Sequence, residues 1–269
     1  MEALHKQEKE QIISSTDLTL TEMKRIFQTG SLEEQQKLIE LMVEDQRKGA
    51  QSLLRQFLKK REKDQAEAQR IRLLWEKERT LAKEGYQYIA GLDEVGRGPL
   101  AGPVVAACVI LPLECKLPGL NDSKKLSPAE REELAELIMR KAVAWSIGSV
   151  DNQEIDRLNI LQATKKAMLM AISNIAYKPD YLLIDALELE SSIAQEGIIQ
   201  GDSHSASIAA ASILAKTYRD SLMVDLDELY PEYGFSVHKG YGTAQHYEAL
   251  RQYGPCPIHR QSFLRKFTF

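Results

Sequence analysis

The spacing of apolar positions along this 269-residue chain changes near residue 85. Before it, apolar residues recur every three or four positions, which predicts helices. Two pairs of residues have the spacing of capping boxes, Thr19 with Glu22 and Ser31 with Glu34. Gly30 and Gly49 are expected to end the first two helices. After residue 85 short apolar runs alternate with helical patterns. The sequence therefore predicts an all-α extension over residues 1–84 and an α/β domain over residues 85–269.

Short apolar runs bounded by glycine, proline or polar residues predict strands at residues 88–92, 104–111, 143–150, 181–185 and 198–201. Helical patterns cover residues 128–141, 161–176, 205–230 and 243–253. Ser127 as cap and Pro128 at the first helical position mark the start of the first of these helices. Strands that alternate with helices predict one sheet with helices packed against it.

Charge is distributed unevenly, although the formal net charge is only −4. Residues 1–84 carry 17 Lys and Arg against 16 Asp and Glu, residues 238–269 carry 5 against 1, and the stretch between them is therefore acidic. An acidic centre beside a basic tail suits a cation-dependent site whose polyanionic substrate is held by separate basic surfaces. Residues 55–83 hold ten basic against five acidic residues. We expect a solvated helix face there, with a DNA-contacting helix as the alternative.

The three cysteines, Cys108, Cys115 and Cys256, have no paired spacing. Cys256 and His259 form a solitary C-x-x-H, which lacks the second half of a zinc site. Free thiols suit a reducing cytosol. The first residues show no signal-peptide pattern, and no apolar run reaches the roughly 20 residues that cross a membrane. We therefore expect a cytoplasmic protein.

Acidic residues stand at the predicted ends of separate strands. Asp93 and Glu94 follow the first run, Asp185 ends the fourth, and Asp202 follows the fifth. One such acid usually caps a turn, but like charges gathered at one sheet call for a cation. No cysteine or imidazole partner has a suitable spacing, so the oxygen ligands select Mg²⁺ or Mn²⁺. Two ions about 4 Å apart would activate water and stabilise the leaving oxygen of an in-line displacement at phosphorus.

Neighbouring strand residues point to opposite faces, so Asp93 and Glu94 are not both expected to aim at one ion. We expect Asp93 to be the central ligand. Glu94 would reach the site because the strand is ending, or through its main-chain carbonyl.

A glycine-rich connection follows the acid pair. Residues 96–101 match the dinucleotide fingerprint G-x-G-x-x-A, but that fingerprint must open a helix, whereas Gly102, Pro103 and a strand-like run follow here. A nucleotide cofactor is therefore disfavoured. Backbone amides and a guanidinium beside two carboxylates instead suit a metal ion that faces a phosphodiester.

Four segments of the chain closely resemble the ribonuclease HII family, the type 2 ribonucleases H. They are GLDEVGRGPLAGP at residues 91–103, NDSKKL at 121–126, GDS at 201–203 leading into SIAAASILAK at 207–216, and HKGYGT at 238–243. The resemblance extends from residue 88 to about residue 263, with the motifs in the family's order. It implies a ribonuclease-H-like fold, in which a mixed central sheet is flanked by helices and followed by a C-terminal helical part.

The resemblance also implies roles for single residues. The four acids named above would be the catalytic metal ligands. Gly96, Arg97 and Gly98 would read the ribose 2′-hydroxyl and the neighbouring phosphate, because amides unobstructed by a Cβ can touch the atom that distinguishes RNA from DNA. Tyr241 would stack on the sugar at the RNA-to-DNA junction. The predicted phosphate contacts are Lys124, Lys125 and Lys239, although loop lysines are often only solvated.

The implied activity is that of a divalent-metal endonuclease acting on two related substrates. It would cut the RNA strand of RNA–DNA hybrids and the 5′ side of a single ribonucleotide in duplex DNA, leaving 3′-hydroxyl and 5′-phosphate ends. The resemblance assigns nothing to residues 1–84. The tail at residues 261–269 loosely resembles a sliding-clamp-binding tail; alternatively, Phe263, Leu264 and Phe267 pack back on the domain. We expect a monomer.

Two other functions stay open on the sequence. A metal-free hydrolase could use Ser203 and His204, but no nucleophile-elbow pattern surrounds them. A non-catalytic duplex-binding module could use the basic helix and tail, but it leaves the acids unexplained. His204 and His259 are each expected to be a satisfied surface imidazole, with a proton carrier as the alternative. Ser212 and the alanines around it are expected to form a close-packing helix face.

Overall fold

The computed structural model describes residues 15–121 and 123–265, without the side chains of Thr16 and Lys124. This part of the chain forms two compact units that divide between Arg70 and Ile71. Each unit has an apolar core of its own. The first is helical, and the second combines a sheet with helices. No helix within the described ranges has the length and the apolar content needed to cross a membrane.

The two units divide after residue 70, whereas the spacing of apolar residues changes near residue 85. The packing of residues 71–84 explains this difference. They are mostly helical, like the extension. Leu74 and Trp75 are nevertheless buried in the same cluster as Val105, and Leu81 is buried with Ile89. Packing against strands assigns these residues to the second unit, whereas apolar spacing reports only the local helix. The domain boundary between residues 84 and 85 stays a prediction.

The first unit contains α1 (Leu20–Thr29), α2 (Leu32–Val43) and most of α3 (Lys48–Leu74). Both predicted capping boxes are present, and Gly30 follows α1 as predicted. Gly49 lies in the first turn of α3, so the prediction that it ends α2 is wrong. A Cβ built on Gly49 would lie 2.8 Å from Leu20 Cδ1. The glycine therefore marks a close contact with α1 and not a helix end.

The second unit is built on a five-stranded mixed sheet. Its strands are β1 (Ile89–Val95), β2 (Val104–Ile110), β3 (Ala144–Val150), β4 (Tyr181–Asp185) and β5 (Ala194–Ile198). The order across the sheet is β3-β2-β1-β4-β5. The β1–β2 and β2–β3 pairs are antiparallel, and the β1–β4 and β4–β5 pairs are parallel. The central position of β1 explains why its first residues are buried on both faces.

The helices of this unit are α4 (Glu76–Lys83), α5 (Pro128–Lys141), α6 (Asn152–Leu158), α7 (Ile160–Asn174), α8 (Ala206–Leu229), α9 (Phe235–His238), α10 (Ala244–Tyr253) and α11 (Gln261–Leu264). The core that includes α8 contains Val105 and Ala107, whereas the core that includes α7 contains Ala106 and Cys108. This alternation follows from the opposite directions of successive strand side chains. The two helices therefore cover opposite faces of the sheet.

Two predicted elements differ from the structure. The sequence predicts the fifth strand at residues 198–201, but β5 lies earlier and Gly201–Ser203 is a 3-10 turn. β5 is an edge strand without a buried residue, so it lacks the apolar pattern that marks the other strands. The helix expected from residue 161 is preceded by α6, from which Asn159 separates it at φ 80°. The caps of α5, α8 and α10 are Ser127, Ser205 and Thr243, so these three predicted helices are confirmed.

Candidate active site

Asp93 and Glu94 lie inside β1, which continues to Val95. The expectation that the strand ends at this pair is therefore wrong. Asp93 points to the same face of the strand as Gly91, which α8 covers, and it is only 6% exposed. The Ser212 hydroxyl of α8 hydrogen-bonds its carboxylate, and the Glu94 amide donates to Asp93 Oδ1 at 2.7 Å. Asp93 is thus held between a central strand and a helix.

Asp185 ends β4, the strand that runs parallel to β1. It directly follows Ile184, the last residue that pairs with β1, so it stands beside Asp93 at the same level of the sheet. The Gly201 amide donates a hydrogen bond of 2.7 Å to Asp185 Oδ1. Asp202 is the next residue of that turn and is 7% exposed. The turn therefore ties the position of Asp202 to Asp185 through the main chain.

The carboxylates of Asp93, Glu94 and Asp185 act on one another. Burial raises the pKa of Asp93 well above its ordinary value; Glu94 and Asp185 raise it further, and the Ser212 hydrogen bond opposes this. Burial also raises the pKa of Glu94, opposed by Arg97, whose Nη1 lies 3.3 Å from Glu94 Oε1. The structure thus brings these three predicted site residues together. Their like charges disfavour simultaneous ionisation unless a cation neutralises them.

Glu94 Oε2 is buried and has no hydrogen-bond partner among the described residues. A buried carboxylate oxygen in this position needs an electropositive partner. The donors are all oxygen atoms, so the residues fit a hard divalent ion. The described part of the chain contains no set of three or more acidic, imidazole or thiol groups already arranged around one ion position. Convergence of all four acids on the same ion therefore stays a prediction.

The glycine-rich loop lies beside Tyr241. Gly96 adopts φ +91°, and a Cβ built on it would lie 2.3 Å from Arg219 Nε, so no other residue fits without displacement. A Cβ built on Gly98 would lie 3.7 Å from Tyr241 Cε1. The Leu100 amide donates to the Gly240 carbonyl at 2.8 Å, which joins the two segments. Arg97, Gly98 and Tyr241 are exposed, so a ligand can reach all three.

The three lysines predicted to contact phosphate differ from one another in their surroundings. Lys239 adopts φ +52°, and its Nζ donates to the Ser236 carbonyl. Lys125 is exposed on the 3-10 turn Ser123–Lys125. The side chain of Lys124 and all of Asp122 lie outside the described residues. Phosphate contacts by these lysines therefore stay predictions.

Sequence reasoning missed three side chains that support the site. The sequence pattern assigns Ser212 only to packing, but its hydroxyl contacts Asp93 and lies 2.9 Å from Ser123 Oγ. A lone hydroxyl in a row of alanines was the available signal. Arg219 and Arg260 are fully buried and donate to carbonyls of the glycine-rich loop. Local sequence does not mark Arg260, because its partner Gly102 is 158 residues away.

Glu78 is a further residue without a predicted role, since it was assigned to the extension. It is buried at 2% exposure. The Ser205 hydroxyl donates to Glu78 Oε1 at 2.6 Å, and the Ser207 amide donates to the same atom at 2.9 Å. A carboxylate at a helix N-terminus satisfies unpaired amides and complements the helix dipole. Glu78 therefore fixes the start of α8, the helix that follows the Asp202 turn.

His259 is buried at 1% exposure, so the predicted surface position is wrong. The Cys256 amide donates to His259 Nδ1 at 2.9 Å, which assigns the ring proton to Nε2. That Nε2 lies 2.9 Å from His246 Nε2, and His246 Nδ1 lies 2.9 Å from the Tyr241 carbonyl. His259 therefore donates to His246, which donates to Tyr241. His204 is exposed, with Nδ1 2.9 Å from the Gln200 carbonyl.

Burial keeps this histidine chain neutral. It lowers the pKa of His259 to about 4, with a further contribution from His246, and it also lowers the pKa of His246. Two neutral imidazoles thus connect the Cys256 amide to the carbonyl of Tyr241, the residue beside the glycine-rich loop.

A mixed sheet in this strand order, with acids on its adjacent parallel strands and a helix across them, is the arrangement of the ribonuclease-H-like fold. The comparison with known families specifies the class further. The family model "Ribonuclease HII" matches residues 90–266, and the model "Ribonuclease HII N-terminal domain" matches residues 19–82. The chain belongs to the ribonuclease HII family.

Individual relatives agree with this assignment. Ribonuclease HII of Desulfitobacterium hafniense (strain DSM 10664 / DCB-2) is 52% identical over 247 residues, which cover 91% of this chain and 94% of that one. The ribonuclease H2 structure from Pyrococcus horikoshii OT3 is 26% identical, with TM-score 0.57, and covers 65% of this chain and 93% of that chain.

A second solved structure is RNase HII from Archaeoglobus fulgidus in complex with PCNA. It is 27% identical, with TM-score 0.55, and covers 67% of this chain and 98% of that chain. The predicted family and fold class are thus confirmed, and the chain is a hydrolase with ribonuclease H activity.

Proposed function

We propose that this chain is a metal-dependent endonuclease that cuts the RNA strand of RNA–DNA hybrids and the 5′ side of a single ribonucleotide in duplex DNA. The observation that carries the proposal is the group formed by the buried Asp93 with the half-buried Glu94 and Asp185. Glu94 and Asp185 raise the pKa of Asp93, and Glu94 Oε2 has no hydrogen-bond partner in the described ranges. Family membership supports the ribonuclease activity, and the acid group supports its dependence on a cation.

Asp93, Glu94, Asp185 and Asp202 would hold one or two Mg²⁺ or Mn²⁺ ions. Bound there, the ions would supply a Lewis acid for the scissile phosphate and lower the pKa of the attacking water. Asp93 is the best-fixed ligand, because Ser212 and the Glu94 amide hold its carboxylate. Water oxygen adds to phosphorus, the P–O3′ bond breaks, and the departing O3′ takes up a proton. The products are a 3′-hydroxyl and a 5′-phosphate.

The exposed surface beside the acids would read the substrate. We propose that the segment Gly96, Arg97 and Gly98 contacts the ribose 2′-hydroxyl and the adjacent phosphate through its backbone amides and the Arg97 guanidinium. Tyr241 is 41% exposed and lies next to Gly98, which suits stacking on the sugar at the junction. The glycine-rich loop and Tyr241 are neighbours, so both can contact the same nucleotide. This arrangement supports recognition of a single ribonucleotide.

Cut mapping on defined duplexes tests the proposal. The substrates are a DNA duplex with one ribonucleotide, the same duplex without it, and a continuous RNA–DNA hybrid, each with Mg²⁺, with Mn²⁺ or with EDTA. We expect cuts on the 5′ side of the ribonucleotide and within the RNA strand, only when a divalent ion is present. Equal cleavage in EDTA would support a metal-free hydrolase, and an intact one-ribonucleotide duplex would restrict the activity to hybrids.

We also propose a clamp contact through the C-terminal tail. The Archaeoglobus fulgidus relative was solved in complex with PCNA, which supports such a contact in this chain. In the described part of the tail, however, Leu264 is buried and Phe263 packs against the core. Phe267 lies outside the described residues. Titration of a sliding clamp with the full chain and with a chain ending at Arg265 tests the contact. The monomeric state and the cytoplasmic location stay predictions.

A further inference from the structure

Two buried arginines contact the glycine-rich loop on its inner side. Arg219 on α8 and Arg260 just before α11 are both at 0% exposure. Burial lowers the pKa of both guanidinium groups, that of Arg260 to about 9, with Arg219 as a further cause. A charged group this deeply buried is costly unless its donors are satisfied. The hydrogen-bond acceptors of the two guanidinium groups therefore indicate which part of the structure the two arginines stabilise.

Arg260 donates to three carbonyls of the loop. Nη2 lies 2.6 Å from the Gly96 oxygen, Nη1 3.0 Å from the Arg97 oxygen and Nε 3.0 Å from the Gly102 oxygen. Both ends of the loop are thus attached to one planar group. A guanidinium presents its donors in a rigid fork, whereas a lysine ammonium on a flexible chain does not.

Arg219 donates to the same loop and to the segment that carries Tyr241. Its Nε lies 2.9 Å from the Pro103 oxygen, and its Nη2 lies 3.2 Å from the Ala101 oxygen. Its Nη1 lies 2.9 Å from the Lys239 oxygen. The two substrate-reading segments that the site suggests are therefore fastened to each other through one buried side chain.

The direction of these hydrogen bonds determines where the loop amides point. In a trans peptide the C=O and the following N–H point in opposite directions, and the described residues contain no cis peptide. Arg260 turns the carbonyls of Gly96 and Arg97 inward. The amides of Arg97 and Gly98 belong to the same two peptide groups and must turn outward. Both residues are exposed, so these amides face the side from which a nucleic acid can approach.

We propose that Arg260 and Arg219 are positioning residues, which orient the Arg97 and Gly98 amides toward the 2′-hydroxyl and phosphate of the ribonucleotide. The inference rests on the proposed function, because it assumes that this loop reads the ribose. It adds that discrimination between RNA and DNA depends on two side chains that never touch the substrate. A purely structural role would reduce the amount of folded protein but would leave that discrimination unchanged.

The test compares affinities for two duplexes on one protein preparation. Binding is measured in EDTA to a DNA duplex with one ribonucleotide and to the same all-DNA duplex, for wild type, Arg260→Lys and Arg219→Lys. We expect the ratio of the two affinities to fall about tenfold in both variants. The ratio does not depend on the fraction of folded protein. The control is Arg140→Lys, because the Arg140 side chain is 64% exposed and pairs with Glu136 on its own helix.

The outcomes separate the inference from the proposed function. A wild type that shows no preference for the ribonucleotide contradicts the proposed reading of the ribose. A wild-type preference that Arg260→Lys retains in full overturns the positioning role alone.

A measurement on the wild type keeps the inference testable if both variants fail to fold. Amide hydrogen exchange is followed at Arg97 and Gly98 with each duplex. We expect added protection, about fivefold or more, with the one-ribonucleotide duplex and not with the all-DNA duplex. If the wild type prefers the one-ribonucleotide duplex in binding but these two amides exchange equally in both complexes, the inference is overturned while the reading of the ribose stands.

Discussion

The second unit contains two neighbouring clusters of buried charged side chains. Within the described chain, hydrogen bonds satisfy the charged groups in one cluster but not in the other. Arg219 and Arg260 give six hydrogen bonds to main-chain carbonyls. Asp93 and Glu94 are also largely buried, yet Glu94 Oε2 has no hydrogen-bond partner in the described chain. The arginine cluster therefore stabilises the conformation of the glycine-rich loop. The like charges of the acidic cluster are not neutralised in the same way, and a bound cation would neutralise them. The difference separates positioning from chemistry.

The acidic cluster is the place where the largest effect is expected. Asp93→Asn removes the charge that Ser212 and the Glu94 amide hold in place. A metal ligand contributes several kcal/mol to the transition state, so cleavage should fall by roughly 10³-fold or more. Single-turnover cleavage of a one-ribonucleotide duplex measures this. The control is Asp225→Asn, an exposed position on α8, and a near-normal rate for Asp93→Asn would refute the metal role.

The same substitution should stabilise the metal-free protein. The pKa of Asp93 is raised in the fold, so its contribution to stability is present at low pH and is lost as pH rises through the raised value. At pH 8 in EDTA the fold must either hold this buried carboxylate charged or bind a proton that the unfolded chain does not hold; both cost free energy, and asparagine removes that cost. The melting temperature of Asp93→Asn should therefore exceed that of wild type, and Mg²⁺ or Mn²⁺ should narrow or reverse the difference. A lower melting temperature in EDTA would contradict the electrostatic account.

The second effect concerns the arginine cluster. Gly96→Ala places a Cβ 2.3 Å from Arg219 Nε and 2.7 Å from the Pro103 oxygen, at φ +91°. We expect strain of about 1–3 kcal/mol and a loss of activity of about tenfold or more on the one-ribonucleotide duplex. Gly119→Ala is the matched control, because Gly119 has φ +78° but no atom within 4 Å of the added Cβ. Equal effects of both substitutions would show that only backbone strain matters.

The sequence indicates the acidic cluster far better than the arginine cluster. Asp93 follows one apolar run that predicts a strand and Asp185 ends another, so local patterns already place both acids on one sheet. That the two strands are adjacent and parallel is seen only in the structure. The partners of Arg260 are main-chain atoms more than 150 residues away, and carbonyls have no sequence signature. The place of β5 was missed for a related reason, since a polar edge strand lacks the apolar pattern.

The third effect lies at the junction of α8 with the acids. Ser212→Ala removes the hydroxyl that contacts Asp93 and leaves Ser123 without this neighbour. Groups that orient a metal ligand typically matter less than the ligand itself, so cleavage should fall by about tenfold. Ser221→Ala, at an exposed position of the same helix, should leave the rate unchanged. If both variants cleave alike, the Ser212 hydroxyl serves packing only, as the alanine row first indicated.

The smallest effect appears only at acidic pH. It concerns His259, whose imidazole is buried and uncharged in the folded protein. The pKa of His259 is lowered to about 4 by burial and by His246, so the folded state excludes the protonated ring that the unfolded chain accepts below about pH 6.5. Stability should therefore be complete above that value and decline as pH falls toward 4, by roughly 2–3 kcal/mol. Urea unfolding at pH 7 and pH 4.5 measures the decline. His259→Gln should be less stable at pH 7, because the link from Cys256 to Tyr241 is broken, but it should lose less between the two values. An equal decline in both proteins would assign the acid sensitivity to groups other than His259.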